Sequence, residues 1–107
     1  CDTGHSNLCA ARELIGMRLA GAYAEYVAIP ERNLIDLSEG MSFVEASLTE
    51  PTATALHALN LARNQSPRPL AEQKTLVIGG GAVGLLAALL LNMYGCRSLV
   101  VAETHAE

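Results

Sequence analysis

The chain has 107 residues, half of them hydrophobic, and a net charge of −4. The high apolar content argues against a disordered segment. Its seven lysines and arginines are scattered and few aromatic residues accompany them, so the composition also argues against a nucleic-acid-binding surface.

The first part of the chain is predicted to be a loop followed by two short strands. Residues 1–21 contain several turn-forming residues and predict a loop. Residues 21–29 alternate in polarity and carry Tyr, Val and Ile, so they predict a strand that ends at Pro30. Residues 33–37 predict a second short strand.

Two helices are predicted next. Ser42 followed by Glu45 is typical of a capping box and predicts a short helix that ends at about Leu48. Pro51 has no backbone donor and suits the first position of a helix, so it predicts a second helix over about residues 50–63.

The most informative stretch begins with an apolar run and a glycine turn. Residues 76–78 are apolar and partly β-branched, and they suit a buried parallel strand. Gly79, Gly81 and Gly84 follow in the spacing G-x-G-x-x-G. In this pattern the first glycine permits a tight turn, the second lets the backbone approach a pyrophosphate, and the third lets a helix pack against the strand.

A helix and a second strand complete the pattern. The helix is predicted over residues 82–94, and its first-turn amides, including those of Ala82 and Val83, are unpaired at the positive end of the helix dipole. Such a terminus favours a diphosphate. Residues 98–102 predict the next strand, and Glu103 follows where a carboxylate would accept hydrogen bonds from adenosine ribose hydroxyls and repel a 2′-phosphate. The stretch therefore predicts an NAD site.

Two other interpretations of this stretch stay open. A βαβ unit without a ligand has the same periodicity. Residues 76–96 also carry no charge and are about long enough to cross a bilayer as one helix. Glycines cost about 1 kcal/mol each inside a helix, which counts against that second alternative. We predict the dinucleotide site and no membrane segment.

The cysteines and one acid are candidate metal ligands. Cys1 and Cys9 allow half of a zinc site, a disulfide loop or two unrelated thiols. A structural zinc site needs four ligands, so two cysteines cannot close it. Glu50, at a predicted helix start, is either an acid that offsets the helix dipole or a ligand of a metal or of its bound water. Three cysteines without a visible signal peptide indicate a reducing compartment, and we expect a cytoplasmic protein.

Four segments together resemble the zinc-dependent medium-chain alcohol dehydrogenase family, in its sorbitol and threonine dehydrogenase branch. Residues 1–9 are similar to half of the family's four-cysteine lobe, and residues 21–27 are similar to one of its strands. Glu50-Pro51 resembles the start of the family's next helix, and residues 75–84 resemble its nucleotide turn. The resemblance covers essentially the whole chain in the family's order. It implies an α/β fold in which part of a GroES-like β domain precedes the start of a Rossmann-type parallel sheet.

The resemblance also implies a division into two domains. Residues 1–48 would be part of a GroES-like catalytic domain with half of a zinc lobe, and residues 49–107 the first part of a Rossmann NAD-binding domain. Two strands and one helix make a small core, so we expect an interior fragment of a longer protein.

The resemblance assigns roles to individual residues. It makes Cys1 and Cys9 two of four structural zinc ligands and places Glu50 in the catalytic zinc site, bound directly or through water. Thr54, one helical turn further on, would face the nicotinamide. The residues that would hold the pyrophosphate and the ribose lie in the glycine turn and after the second strand: Gly79, Gly81, Ala82, Val83, Gly84 and Glu103.

These assignments imply a zinc- and NAD-dependent dehydrogenase of a secondary alcohol or polyol. We expect a small-molecule substrate, a homo-oligomer in the full-length protein, and neither nucleic acid nor membrane as a partner. A zinc-free, NADPH-using reductase of the same superfamily and a non-catalytic nucleotide-binding fragment are the alternatives.

Overall fold

The computed structural model describes residues 4–105, which fall into two compact units divided between Asp36 and Leu37. Cys1, one of the predicted metal ligands, lies outside the described residues. The domain boundary predicted between residues 48 and 49 stays a prediction.

The described residues of the first unit form turns and short 3-10 helices, at Ser6–Leu8 and Glu31–Asn33. The strand predicted over residues 21–29 is wrong, because these residues form bends and irregular backbone, and so is the strand predicted over residues 33–37. A strand needs a neighbour to satisfy its backbone groups, and within residues 4–36 the structure offers only one isolated bridge, Ile15 to Leu19. A GroES-like β domain is therefore not seen in this part of the chain.

Within residues 37–105 the second unit contains three α-helices and two strands: α1 (Phe43–Ala46), α2 (Thr49–Gln65), β1 (Lys74–Ile78), α3 (Ala82–Met93) and β2 (Ser98–Ala102). The predicted capping box of α1 is confirmed. The Glu45 amide donates to Ser42 Oγ at 3.2 Å, and the Ser42 amide donates to Glu45 Oε2 at 2.8 Å. The helix ends at Ala46, two residues earlier than expected.

The second predicted helix is confirmed as α2, which begins at Thr49 and is 17 residues long. Pro51 is its third residue rather than its first. The missing donor is tolerated there as well, because the first four amides of a helix have no partner within it. Ala55 and Leu59 are the buried residues of this helix.

The two strands pair in parallel, with Lys74 opposite Ser98 and Ile78 opposite Ala102. The chain crosses from one to the other through α3, so β1, α3 and β2 form the predicted βαβ unit. The second unit is thus a small α/β structure with a two-stranded parallel sheet, consistent with the start of a Rossmann-type fold.

Helix α3 packs on one face of this sheet, and α2 packs against α3. Four buried residues form the core cluster, and three partly buried residues pack against it. The four are Leu59, Leu70, Leu91 and Cys96, and the three are Val77, Leu90 and Leu99. Cys96, which precedes β2, is one of the buried residues of the second unit. On the opposite face Leu76, Ile78 and Val100 are exposed.

The alternative of one continuous helix over residues 76–96 is wrong. The stretch divides into β1, a glycine turn and α3, which has only 12 residues. Among residues 4–105 we find no helix whose length and apolar character would let it cross a membrane.

Candidate functional site

The glycine turn begins where β1 ends. The Gly79 amide donates to the carbonyl oxygen of Ala102 at 2.8 Å, which extends the parallel ladder by one bond. Gly79 then turns the chain with a φ of +103°, in a region that residues with a Cβ rarely adopt. The tight turn predicted for the first glycine is therefore present.

The third glycine of the pattern lies against the first. A Cβ on Gly84 would lie 2.0 Å from the Gly79 carbonyl oxygen and 3.5 Å from Val77 Cγ1. Only a glycine allows α3 to approach the turn and β1 so closely, as the sequence pattern predicts.

The second glycine stands at the start of α3 and faces open space. Gly81 is the N-cap residue, and a Cβ built on it would meet nothing within 4 Å. Among the described residues no side chain caps this helix start. The first-turn amides, those of Ala82, Val83 and Gly84, have no carbonyl partner within the helix. This helix end has the room and the donors that an anionic group needs.

The carboxylate of Glu103 reaches back to this turn. The Gly80 amide donates to Glu103 Oε2 at 2.6 Å, while the amides of Thr104 and His105 donate to Oε1 at 2.6 Å and 3.2 Å. The amide of Gly80 first of all, and then those of His105 and Thr104, lower the pKa of Glu103 from 4.5 to about 2. Glu103 therefore stays ionised across the physiological pH range.

These bonds make a prediction for the pH dependence of stability. The carboxylate is stabilised more in the folded chain than in the unfolded chain, so its contribution is present above about pH 4.5 and is lost as the pH falls towards about 2. We expect the free energy of unfolding of the full-length protein to fall more steeply across this window than that of Glu103→Gln. Urea unfolding at several pH values measures both slopes, and parallel curves would contradict the prediction.

A cavity of about 390 Å³ lies between the turn and the end of β2. Gly80, Gly81, Glu103 and His105 line it. Gly80 and His105 were not among the predicted site residues. The sequence could have indicated Gly80 as a site residue, because it lies between the two glycines nearest the strand end. For His105 the only indication is its position two residues after Glu103.

Glu50 and Thr54 lie one turn apart on α2. Thr54 Oγ1 donates to the Glu50 carbonyl oxygen at 3.3 Å and is 3.4 Å from Glu50 Oε1, and both residues are exposed. Within residues 4–105 no hydrogen bond joins Glu50 or Thr54 to the glycine turn. Their predicted roles, at the metal and at the nicotinamide, stay predictions.

The described residues do not assemble a metal centre. Between residues 4 and 105 no group of three His, Cys, Asp or Glu side chains converges on a point that could hold a metal ion. Cys9 is a half-buried free thiol. Cys9 and Glu50 are predicted for two different zinc sites, so each site has one described donor, whereas zinc sites use three or four protein ligands. The assignment of both as zinc ligands stays a prediction.

Comparisons with known proteins find one matching family model and several similar curated proteins. Residues 72–107 match the family described as FAD binding domain. The chain is 29% identical over 107 residues to the galactitol 1-phosphate 5-dehydrogenase of Escherichia coli (strain K12), covering 100% of this chain and 30% of the relative. It is 32% identical over 106 residues to the L-threonine 3-dehydrogenase of Alteromonas mediterranea, covering 98% of this chain and 29% of that enzyme.

A third relative is an uncharacterized zinc-type alcohol dehydrogenase-like protein of Haemophilus influenzae, 31% identical over 101 residues, 94% of this chain and 28% of the relative. No solved structure matches the chain. The chain spans about three tenths of the length of these curated relatives. The curated relatives of this chain are thus dehydrogenases of the galactitol 1-phosphate, L-threonine and zinc-type alcohol kinds, which confirms the resemblance drawn from the sequence.

Proposed function

We propose that this chain contributes the dinucleotide-binding turn of a dehydrogenase that transfers hydride between a secondary alcohol or polyol and NAD. One observation carries the proposal: the Glu103 carboxylate meets the Gly80 amide at 2.6 Å, beside the uncapped start of α3. The acid of the second strand and the phosphate-binding turn of the first thereby line one cavity. This is the arrangement that a dinucleotide's ribose and pyrophosphate require.

The residues fit the adenosine diphosphate part of the cofactor. The absence of atoms around the Gly81 Cβ position leaves room for a pyrophosphate, which the amides of Ala82 and Val83 would bind. Gly79 and Gly84 would hold the turn in shape, and Glu103 would accept hydrogen bonds from the ribose hydroxyls.

NAD and FAD share the adenosine diphosphate group, so the match to an FAD binding domain is compatible with the same turn. The names of the relatives favour NAD, because they describe dehydrogenases of alcohol-bearing substrates and none of them mentions a flavin. When bound, the nicotinamide accepts the hydride that the substrate carbon loses. The chain's own part is to hold the cofactor at its adenosine diphosphate end and so fix the position of its reactive end.

The relative named zinc-type favours a metal. We propose Cys9 as a ligand of a structural zinc ion and Glu50 as part of a separate catalytic zinc site, bound directly or through water. The described residues alone do not make up either site. Metal analysis of the full-length protein distinguishes this proposal from a zinc-free, NADPH-using reductase. A small-molecule alcohol or polyol substrate, a homo-oligomeric state and a cytoplasmic location remain part of the proposal.

Exchange of the acid tests the proposal. The full-length protein should bind NAD in calorimetric titrations, and Glu103→Gln should lower the preference for NAD over NADP by about tenfold or more. The reason is that the variant loses a charged hydrogen bond to the ribose, worth about 1.5–3 kcal/mol, together with the repulsion of the 2′-phosphate. The measurement is the ratio of the two dissociation constants.

Glu45→Gln is the matched control, because Glu45 also accepts a backbone amide, that of Ser42 at 2.8 Å, and does not line the cavity at the glycine turn. Its dinucleotide preference should equal that of the unmodified protein. Equal affinities for NAD and NADP in the unmodified protein would argue against the proposal, as would binding of neither.

A further inference from the structure

We propose that His105 makes the discrimination between NAD and NADP depend on pH: the protonated imidazole, next to Glu103, weakens the repulsion of a 2′-phosphate. This inference rests on the proposed function and goes beyond it, because it names a second residue that determines cofactor specificity and the condition under which it acts.

The position of His105 supports a contact with the ribose end of the ligand. The residue lines the cavity of about 390 Å³ together with Gly80, Gly81 and Glu103. Its Nδ1 is 3.9 Å from Glu103 Oε1. Any group that reaches the Glu103 carboxylate through this cavity therefore passes within a few ångströms of the imidazole.

The backbone of His105 is held while its ring is free. The His105 amide donates to Glu103 Oε1 at 3.2 Å, which fixes the main chain beside the carboxylate. The side chain is 90% exposed, and its described polar neighbours are Glu103 and the Thr104 hydroxyl, whose Oγ1 is 3.2 Å from Nδ1. The ring can thus turn towards a ligand without breaking any packing in the core.

The charges that face this cavity change in one direction with pH. Glu103 is held ionised by three backbone amides, so its negative charge does not vary between about pH 5 and 8. His105 is the other ionisable group among the residues that line the cavity. Histidine is the side-chain type that gains a positive charge within this pH range. With His105 neutral the cavity carries the negative charge of Glu103, and protonation of His105 would bring its net charge close to zero.

The two cofactors respond differently to this change. The 2′-hydroxyl of NAD is neutral, so the charge of His105 alters its binding little. The 2′-phosphate of NADP is repelled by Glu103 and attracted by a protonated His105, so its affinity should rise as the pH falls. Because the imidazole is exposed and solvent screens its charge, the expected effect is about two- to fivefold.

The test is calorimetric titration of the full-length protein with NAD and with NADP at about pH 8 and about pH 6, a range across which histidine changes charge. In each protein we compare the ratio of the NADP to the NAD dissociation constant at the two pH values. Between about pH 8 and about pH 6 this ratio should fall about two- to fivefold further in the unmodified protein than in His105→Gln. The phosphate of NADP titrates near pH 6 itself, and the comparison between the two proteins removes that contribution.

His57→Gln is the matched control, since His57 is an exposed histidine on α2 that does not line the cavity. It should behave as the unmodified protein does. If His105→Gln still binds NAD and its ratio of dissociation constants changes with pH as in the other two proteins, the role of His105 is overturned and the proposed function is not. Failure of all three proteins to bind either dinucleotide would overturn the proposed function and this inference together.

Discussion

Replacement of Gly84 by alanine should destabilise the full-length protein by about 3 kcal/mol or more, at the upper end of what overpacking costs. The added methyl group would lie 2.0 Å from the Gly79 carbonyl oxygen and 3.1 Å from its carbonyl carbon. The neighbour is backbone, so it cannot turn aside as a flexible side chain would. Relief of the clash requires α3 to move away from β1, which would open the core around Leu91.

Urea unfolding followed by circular dichroism measures this loss. Gly81→Ala is the matched control, because it adds the same methyl group three residues earlier, where the Cβ has nothing within 4 Å. The backbone of Gly81, with φ −72° and ψ −178°, also suits any residue. We expect the control to unfold at nearly the urea concentration of the unmodified protein. A Gly84→Ala variant as stable as this control would show that α3 does not pack on the turn as described.

The βαβ unit was predictable from the sequence because its signals are local. Each strand is a short apolar run, and the glycines that separate β1 from α3 are required by backbone geometry at the positions where the pattern places them. The parallel register then explains why Glu103 lies near the turn. Ile78 is opposite Ala102 and the Gly79 amide bonds to the Ala102 carbonyl oxygen, so the residues that follow the two strands lie close together, and the Gly80 amide bonds to the Glu103 side chain.

The first unit was not predictable in the same way. Residues 21–29 have the alternation of a strand, yet Tyr23 and Tyr26 are fully or almost fully exposed and the segment has no neighbouring strand within residues 4–36. Alternation describes the two faces that a strand would have. Whether a strand forms depends on a partner for its backbone, which comes from elsewhere in a sheet and leaves no trace in the segment itself.

The residues of the candidate site also differ in how far the sequence predicts them. The glycines and Glu103 belong to one local pattern, so their meeting could be expected from spacing. His105 joins the cavity only because the chain turns back over the Glu103 carboxylate after β2, through the amides of Thr104 and His105. Such a turn depends on hydrogen bonds to one side chain, and no periodicity in the sequence signals it. The predicted metal ligands Cys9 and Glu50 come from the resemblance alone, and the described residues assemble no group that would test them.

Replacement of Gly81 by valine should leave the protein folded and lower its affinity for NAD by about a hundredfold, equivalent to about 3 kcal/mol. A Cβ at Gly81 has nothing within 4 Å and the backbone is extended, so the branch point of the side chain meets no neighbour and the residue needs no left-handed conformation. The space that the side chain fills is the space through which a pyrophosphate would reach the amides of Ala82 and Val83. Loss of that approach removes the hydrogen bonds that hold the diphosphate at the helix start.

Calorimetric titration with NAD, together with a thermal unfolding curve, separates this effect from a loss of stability. Ser42→Ala is the appropriate comparison: it removes the capping box of α1, costs about 1 kcal/mol of stability, and lies outside the cavity at the turn, so its NAD affinity should be unchanged. Unchanged affinity in Gly81→Val would mean that the diphosphate does not approach at Gly81. Gly81→Val and Gly84→Ala add bulk to the same turn. If Gly81→Val loses NAD affinity but stays folded, while Gly84→Ala loses stability, then the second glycine of the pattern is needed for the ligand and the third for packing.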